Sequence, residues 1–223
     1  MNVRDRLRIS ERNQRLASRL MQFVLVGLLF VGLERGNTGI MVNASVALAV
    51  SYLPAVMERE YDLPMDAGLT LWITSAVFLH AIGTVGVPGV GAEGNLYRNV
   101  WWWDHLTHAL SSSVVAATGY TVTRAIDEHS DAVYLPPRFM FVFILLFVLA
   151  FGVFWEVIEF AIGESAAAMG TTSILTQYGL EDTLLDLVFD TLGGVVVAVW
   201  GTAHLTDVTG ALTERLDRRR SGT

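Results

Sequence analysis

The chain has 223 residues, of which 52% are hydrophobic and only 17% are charged, and its mean hydropathy is +0.47. Because soluble domains carry about a quarter charged residues, the shortfall is large. Disorder and a collagen-like repeat are excluded, and the absence of cysteine excludes a disulfide scaffold and thiolate chemistry. The 15 basic residues are all arginine, and the net charge of −7 argues against nucleic-acid binding, which needs a basic face.

Six apolar stretches are each long enough to cross a bilayer, which takes roughly 17 to 25 residues. They predict an all-α, polytopic helical bundle embedded in the lipid bilayer of the cell membrane. The six predicted spans are Leu16–Leu33, Thr38–Val56, Ala67–Val87, Trp101–Ala125, Phe139–Gly163 and Asp182–His204.

The arginines predict how this bundle is oriented, because basic residues that flank spans tend to stay in the cytoplasm. With both termini inside, 13 of the 15 arginines are cytoplasmic, and Arg35 and Arg98 alone are outside. The predicted organisation is a cytoplasmic Arg-rich segment at 1–15, a six-helix transmembrane domain at 16–204, and a cytoplasmic Arg-rich tail at 205–223.

The fourth span begins with aromatic residues, expected to anchor it at the interface, and continues with polar ones. Asp104 and His108 are four residues apart, so we expect them on one helix face. His105 is turned about 100° from Asp104, and we expect it to reach no further than the interface.

The fifth span carries two carboxylates three residues apart, Glu156 and Glu159, on one predicted face. Gly152 lies one turn before Glu156, where the missing side chain allows a neighbouring helix to approach.

The sixth span carries aspartates at every fourth position, which forms one acidic stripe: Asp182, Asp186 and Asp190. Gly193 and Gly194 extend that face. An alternative for Asp182 alone is that it caps the N-terminus of the helix.

The predicted orientation places these groups, and His80 of the third span, at one depth near the outer face. No arginine lies within these helix segments to neutralise six carboxylates, so several are protonated or a cation is bound. Carboxylate with imidazole suits zinc, manganese or iron, and carboxylate alone also suits calcium or magnesium. The predicted metal ligands are Asp104, His108, Asp186 and Asp190, and the predicted catalytic bases are Glu156 and Glu159.

The order of these motifs resembles the YjdF-like inner-membrane proteins. The resemblance is carried by Asp104 with His108, by Glu-Val-Ile-Glu-Phe at 156–160, and by the spaced aspartates before Gly193-Gly194. The same order is similar, more loosely, to VanZ-like membrane proteins. The resemblance covers roughly residues 100–200 and marks the same six positions: Asp104, His108, Glu156, Glu159, Asp186 and Asp190. It implies no particular reaction.

Three functions follow from this polar cluster. The first is a metal-dependent hydrolase that acts on a lipid-linked or outer-face substrate. The second is a cation or proton-coupled transporter. The inner half of the bundle is nearly free of charge, which argues against a transport path through it. The third is a structural or accessory membrane protein whose polar cluster joins helices, although buried carboxylates are a costly way to do so.

Overall fold

The computed structural model describes residues 10–85, 95–171, 173–175, 177–201 and 205–221. Most of the predicted N-terminal segment, the end of the third predicted span at Val87, and His204 lie outside the described residues. Every regular element in the described part of the chain is helical. The helices are α1 (Glu11–Arg35), α2 (Thr38–Ser51), α3 (Leu53–Tyr61), α4 (Ala67–Gly83), α5 (Leu96–Asn99), α6 (Trp103–His129), α7 (Pro137–Ala168), α8 (Leu180–Val196), a π-helical turn at Val197–Gly201, and α9 (Thr206–Ser221).

Side-chain caps define several helix starts. The side chains of Ser10, Asn37 and Asp66 accept hydrogen bonds from backbone N–H groups in the first turns of α1, α2 and α4, which would otherwise lack partners. Helix α1 ends at Gly36, whose left-handed φ of 59° is accessible to glycine without steric cost. These caps hold the turn between α1 and α2 to two residues, so the two helices are antiparallel neighbours.

Three helical segments in the described chain are long and apolar enough to cross a membrane: Glu11–Arg35, Thr38–Tyr61 and Pro137–Ala168. A fourth, Ala67–Gly83, is apolar but has 17 residues. The predicted fourth and sixth spans correspond to α6 and α8, which carry the polar residues. The second predicted span runs further than expected, to Tyr61, and is interrupted at Tyr52, with Pro54 in the first turn of α3. The count of six spans stays a prediction.

Large apolar side chains cover the outside of the bundle. Phe23 and Phe30 of α1 are 74% and 67% exposed, and Leu146 of α7 is 61% exposed. A protein that folds in water would not expose so many large apolar side chains. In a bilayer these side chains contact hydrocarbon, which solvates them well. The structure is therefore that of a helical membrane bundle.

The helices pack in two groups of three. Helices α1, α2 and α4 surround an apolar cluster that includes Leu25, Ile40 and Ala81. Helices α6, α7 and α8 pack on one another, and their cluster includes Ala116 and Ile144. Helix α4 also packs against α6 and so joins the two groups, while α9 packs against α6. The polar residues of α6, α7 and α8 face the interior between the groups.

Candidate metal centre

Helices α6 and α8 approach closely because α8 has a glycine at the crossing. A Cβ atom on Gly193 would overlap the Ala109 carbonyl oxygen and Ser112 Oγ of α6. With no side chain in the way, one face of α8 lies directly against α6. The aspartates that precede Gly193 on this face are thereby brought to His108.

Both ring nitrogens of His108 face carboxylates. Nδ1 lies 3.2 Å from Oδ1 of Asp190, with which it forms a hydrogen bond. Nε2 lies 3.6 Å from Oδ1 of Asp104 and 3.9 Å from Oδ2 of Asp186. The structure thus brings three of the four predicted metal ligands, all aspartates, around the imidazole of the fourth.

Asp186 is the most deeply buried carboxylate of the group, with 1% of the residue exposed. Its Oδ1 atom is buried and has no hydrogen-bond partner among the residues that the structure describes. An unpaired buried polar atom costs about 1–3 kcal/mol, and more if it is charged, so this oxygen is a place where a ligand, a proton or water could bind.

His105 lies in the site, which corrects the expectation that it reaches only the interface. Its side chain is 15% exposed, and Nδ1 is 3.9 Å from Oδ1 of Asp186. The ring stacks on Phe189 of α8, with the centroids 4.4 Å apart and the planes 2° from parallel. The stacking on α8 turns the imidazole inward, and Nδ1 is buried without a hydrogen-bond partner in the described part of the chain.

The two predicted catalytic glutamates of α7 are both buried, Glu156 at 5% and Glu159 at 8% exposure. Thr183 of α8 donates a hydrogen bond of 2.7 Å to Oε2 of Glu156, and no described residue forms a hydrogen bond with Oε1 of Glu156. Trp155 Nε1 donates to Oε1 of Glu159 at 3.1 Å. Glu156 is therefore joined to α8, whereas Glu159 is held from its own helix.

Gly152 allows α7 to approach α8, as the sequence predicted. A Cβ atom at this position would overlap Oδ2 of Asp190 and lie 2.9 Å from Cδ2 of Leu187. Asp182 does not cap α8, because the residue before the helix is Gly179 and Asp182 lies in the first turn. Its Oδ2 atom accepts a hydrogen bond of 3.0 Å from the backbone N–H of Tyr178.

His80 of α4 borders the site through an aromatic cluster. Its Nδ1 atom is 2.9 Å from the hydroxyl of Tyr97, and its ring packs edge-on against Tyr97 and Trp155. Burial raises the pKa of the Tyr97 hydroxyl well above its usual range, so this group stays a hydrogen-bond donor. His80 and Tyr97 thus form one wall of the site, and both border the larger cavity beside it.

Two cavities meet at this wall. The first, of about 970 Å³, is bordered by polar groups that include Arg35, Arg98, Asp104 and Glu159. The second, of about 460 Å³, is mostly apolar and lies between α2, α4, α6 and α7. His80 and His108 border both cavities, together with Ile162, Ile174 and Leu175.

One set of side chains has ligand atoms close enough to share an ion. Asp104, His108 and Asp186 each offer one oxygen or nitrogen atom, and the three atoms lie within 4.8 Å of one another. Two carboxylates and one imidazole form a donor set that suits zinc, manganese or iron. Asp190 is on the other ring nitrogen of His108, so it is placed to orient the imidazole.

A bundle of long apolar helices around buried ionisable groups defines an integral membrane protein. The family model described as predicted membrane protein, DUF2238, matches residues 16–207. The chain belongs to this family. It is also similar to an uncharacterised protein of Thermotoga maritima, with 31% identity over 151 residues that cover 66% of this chain and 68% of the relative. No solved structure matches the chain. The finer resemblance to YjdF-like proteins stays a prediction.

Proposed function

We propose that the protein binds one divalent metal ion, with zinc, manganese, iron or magnesium as candidates, at Asp104, His108 and Asp186. The observation that carries this proposal is the buried carboxylate of Asp186. Its Oδ1 atom lacks a hydrogen-bond partner among the described residues, and its Oδ2 atom faces Nε2 of His108. A bound cation would offset the mutual repulsion of the carboxylates, and it would accept a lone pair from the carboxylate of Asp186. The imidazole ligand favours zinc, manganese or iron over magnesium.

Asp190 supports this site from outside the ligand set. A histidine that binds a metal through one nitrogen usually donates its other N–H to a carboxylate, which fixes the tautomer and the ring orientation. The bond between His108 Nδ1 and Asp190 matches that arrangement and leaves Nε2 facing Asp104 and Asp186. We propose this role for Asp190 in place of the direct ligation that the sequence suggests.

We propose that the reaction is hydrolysis of a lipid-linked or outer-face substrate. A bound divalent cation supplies Lewis acidity and a lowered water pKa. Glu159 borders the polar cavity with Asp104 and His108, and is the better placed of the two glutamates to take a proton from water there. The indole N–H of Trp155 orients Glu159, and Glu156 is a second candidate base that is also tied to α8.

Elemental analysis of protein purified without chelators tests the metal site. We expect a divalent metal in about one-to-one ratio with the chain, lost in Asp186→Ala and in His108→Ala. The matched controls are Asp182→Asn, one turn before Asp186 on α8, and His80→Gln, in the wall that His80 forms with Tyr97. We expect both variants to retain the metal. A wild type without stoichiometric metal would contradict the proposal and leave proton relay or a structural role.

Proteoliposomes separate hydrolysis from transport. If the protein carried the cation or protons, an imposed gradient would dissipate faster through wild type than through Asp186→Ala. We expect equal rates for both. The acidic residues that border the two cavities are Asp104, Glu159 and Asp190, and along α6 the smaller cavity continues past Ser111, Ser112 and Val115, which carry no charge. Faster dissipation of the gradient through the wild type would contradict the proposed hydrolysis and support transport.

A further inference from the structure

The two cavities that meet at the candidate metal centre differ in character. The larger one is bordered by two arginines, Arg35 at the end of α1 and Arg98 in α5, and by the N-terminus of α2. The smaller one is bordered by apolar side chains from four helices, including Val46, Val77, Val115 and Phe151. A molecule that extends through both would be charged at one end and apolar at the other.

The apolar cavity opens toward the outside of the bundle. Val46 of α2 and Phe151 of α7 border it, and these residues are 56% and 47% exposed. Helices α2 and α7 stand apart here, since within the described residues they are not among the closely packed pairs. In a bilayer this opening faces acyl chains, so a lipid tail can enter sideways without crossing water.

The polar cavity supplies positive charge at the other end. Guanidinium groups bind phosphate oxygens in a bidentate manner, and two of them match a dianionic head group. The guanidinium of Arg98 lies 5.5 Å from the ring centroid of Tyr178, a stacking contact that orients it. These two arginines are also the two that the sequence analysis predicts on the outer side of the membrane, opposite the cytoplasm.

We propose that the substrate is an anionic phosphate-bearing lipid, with its head group at Arg35 and Arg98 and its tail between α2 and α7. This inference rests on the proposed function, because the bond to be hydrolysed then lies next to His108, where the two cavities join. The tail position follows from the cavities alone.

Photocrosslinking tests the proposal. The probe is dodecyl phosphate with a diazirine at the end of its chain, added to the full-length protein in phosphatidylcholine nanodiscs. We expect labelled peptides from α2 and α7 around Val46 and Phe151. Dodecyl phosphate should compete, whereas dodecanol and inorganic phosphate should not. Competition by inorganic phosphate alone would mean that a free anion is the ligand. Competition by dodecanol as strong as that by dodecyl phosphate would mean that the head group is not recognised. Either result overturns the proposal.

Two matched sets of variants sharpen this test. Arg35→Gln with Arg98→Gln should reduce labelling about tenfold by removing charge-assisted contacts, while Arg59→Gln with Arg138→Gln, outside the cavity, should not. Val46→Trp should block the tail, whereas Val153→Trp, on a similarly exposed valine that does not border the cavity, should not. Labelling spread evenly over the lipid-facing surface in all variants overturns the proposal.

Metal analysis of the same samples separates the two proposals. The arginine and tryptophan variants should keep the metal of the wild type, because none of them alters a proposed ligand. A wild type that is labelled as expected but holds no metal supports the lipid site and contradicts the metal-dependent function alone.

Discussion

His108 contacts carboxylates through both ring nitrogens, and this determines what each neighbour can do. The Nδ1 side is a hydrogen bond of 3.2 Å to Asp190, and the Nε2 side faces Asp104 and Asp186. A carboxylate that accepts from one nitrogen increases the basicity of the other. The proposed ligands and their support are therefore distinguishable by substitution.

We predict that Asp190→Asn weakens metal binding about 10- to 100-fold without abolishing it, which is the usual effect of losing such a second-layer partner. Titration of metal-depleted protein with a competing chelator measures the affinity. Thr191→Val is the matched control, because Thr191 bonds only to the Leu187 carbonyl of its own helix among the contacts described. Complete loss of metal in Asp190→Asn would show that Asp190 is itself a ligand.

The sequence predicts the residues of the site better than their roles. Helical spacing places Asp104 with His108 and Asp186 with Asp190, but it carries no information on which nitrogen faces which helix. The predicted position of His105 was wrong because its direction around the helix axis was measured relative to Asp104. Measured from His108, three residues on, it lies on a neighbouring part of the face. Its stacking on Phe189 depends on how α8 is rotated, which only the packed bundle determines.

At the scale of helices, two glycines control how closely α8 approaches its neighbours. Gly193 meets the backbone of α6 at Ala109, and Gly152 of α7 meets Asp190. In a membrane, where burial of apolar surface does not drive helices together, such close approach is a main source of association. The same contacts set the position of the aspartates relative to His108.

We predict that Gly193→Ala destabilises the bundle by about 1–3 kcal/mol, the usual cost of overpacking, because the new methyl group meets a backbone carbonyl that cannot rotate away. Unfolding in graded sodium dodecyl sulfate measures the change. Gly163→Ala on α7 is the control, since in the described structure no atom beyond its chain neighbours and the backbone of its own helix lies within 4 Å of the added Cβ. That variant should be neutral or more stable by up to about 1 kcal/mol, from helix propensity. Equal effects of the two substitutions would contradict the close approach.

The helices themselves were largely predictable, because long apolar segments in a chain of this composition have few other structures available. Their ends were less so. The break at Tyr52 depends on Pro54, and α8 begins at Leu180, two residues before the predicted span, after a glycine with φ of 116°. Hydropathy responds to the apolar run and is insensitive to such turns.

At the scale of the whole molecule, the orientation in the membrane is the prediction on which the outer-face site depends. The arginine distribution places the loop after α7 outside and the loop between α6 and α7 inside. The chain has no native cysteine, so single cysteines can be introduced without further changes.

We predict that a membrane-impermeant maleimide added to intact cells labels Met169→Cys but not Tyr134→Cys. Both residues are well exposed, at 70% and 80%. Met169 is preferred to the adjacent Gly170, whose φ of 65° disfavours a side chain. Permeabilised cells, in which both sites react, serve as the control. The reverse pattern would move the site to the cytoplasmic leaflet.

The junction of the two cavities at His80 and His108 has a kinetic consequence. Water reaches such a centre by diffusion in three dimensions, while a lipid arrives by lateral diffusion in two. The rate would then saturate with the mole fraction of substrate in the membrane. Diluting the vesicles in buffer would leave the turnover rate per protein molecule unchanged, and adding inert lipid to the vesicles would lower it.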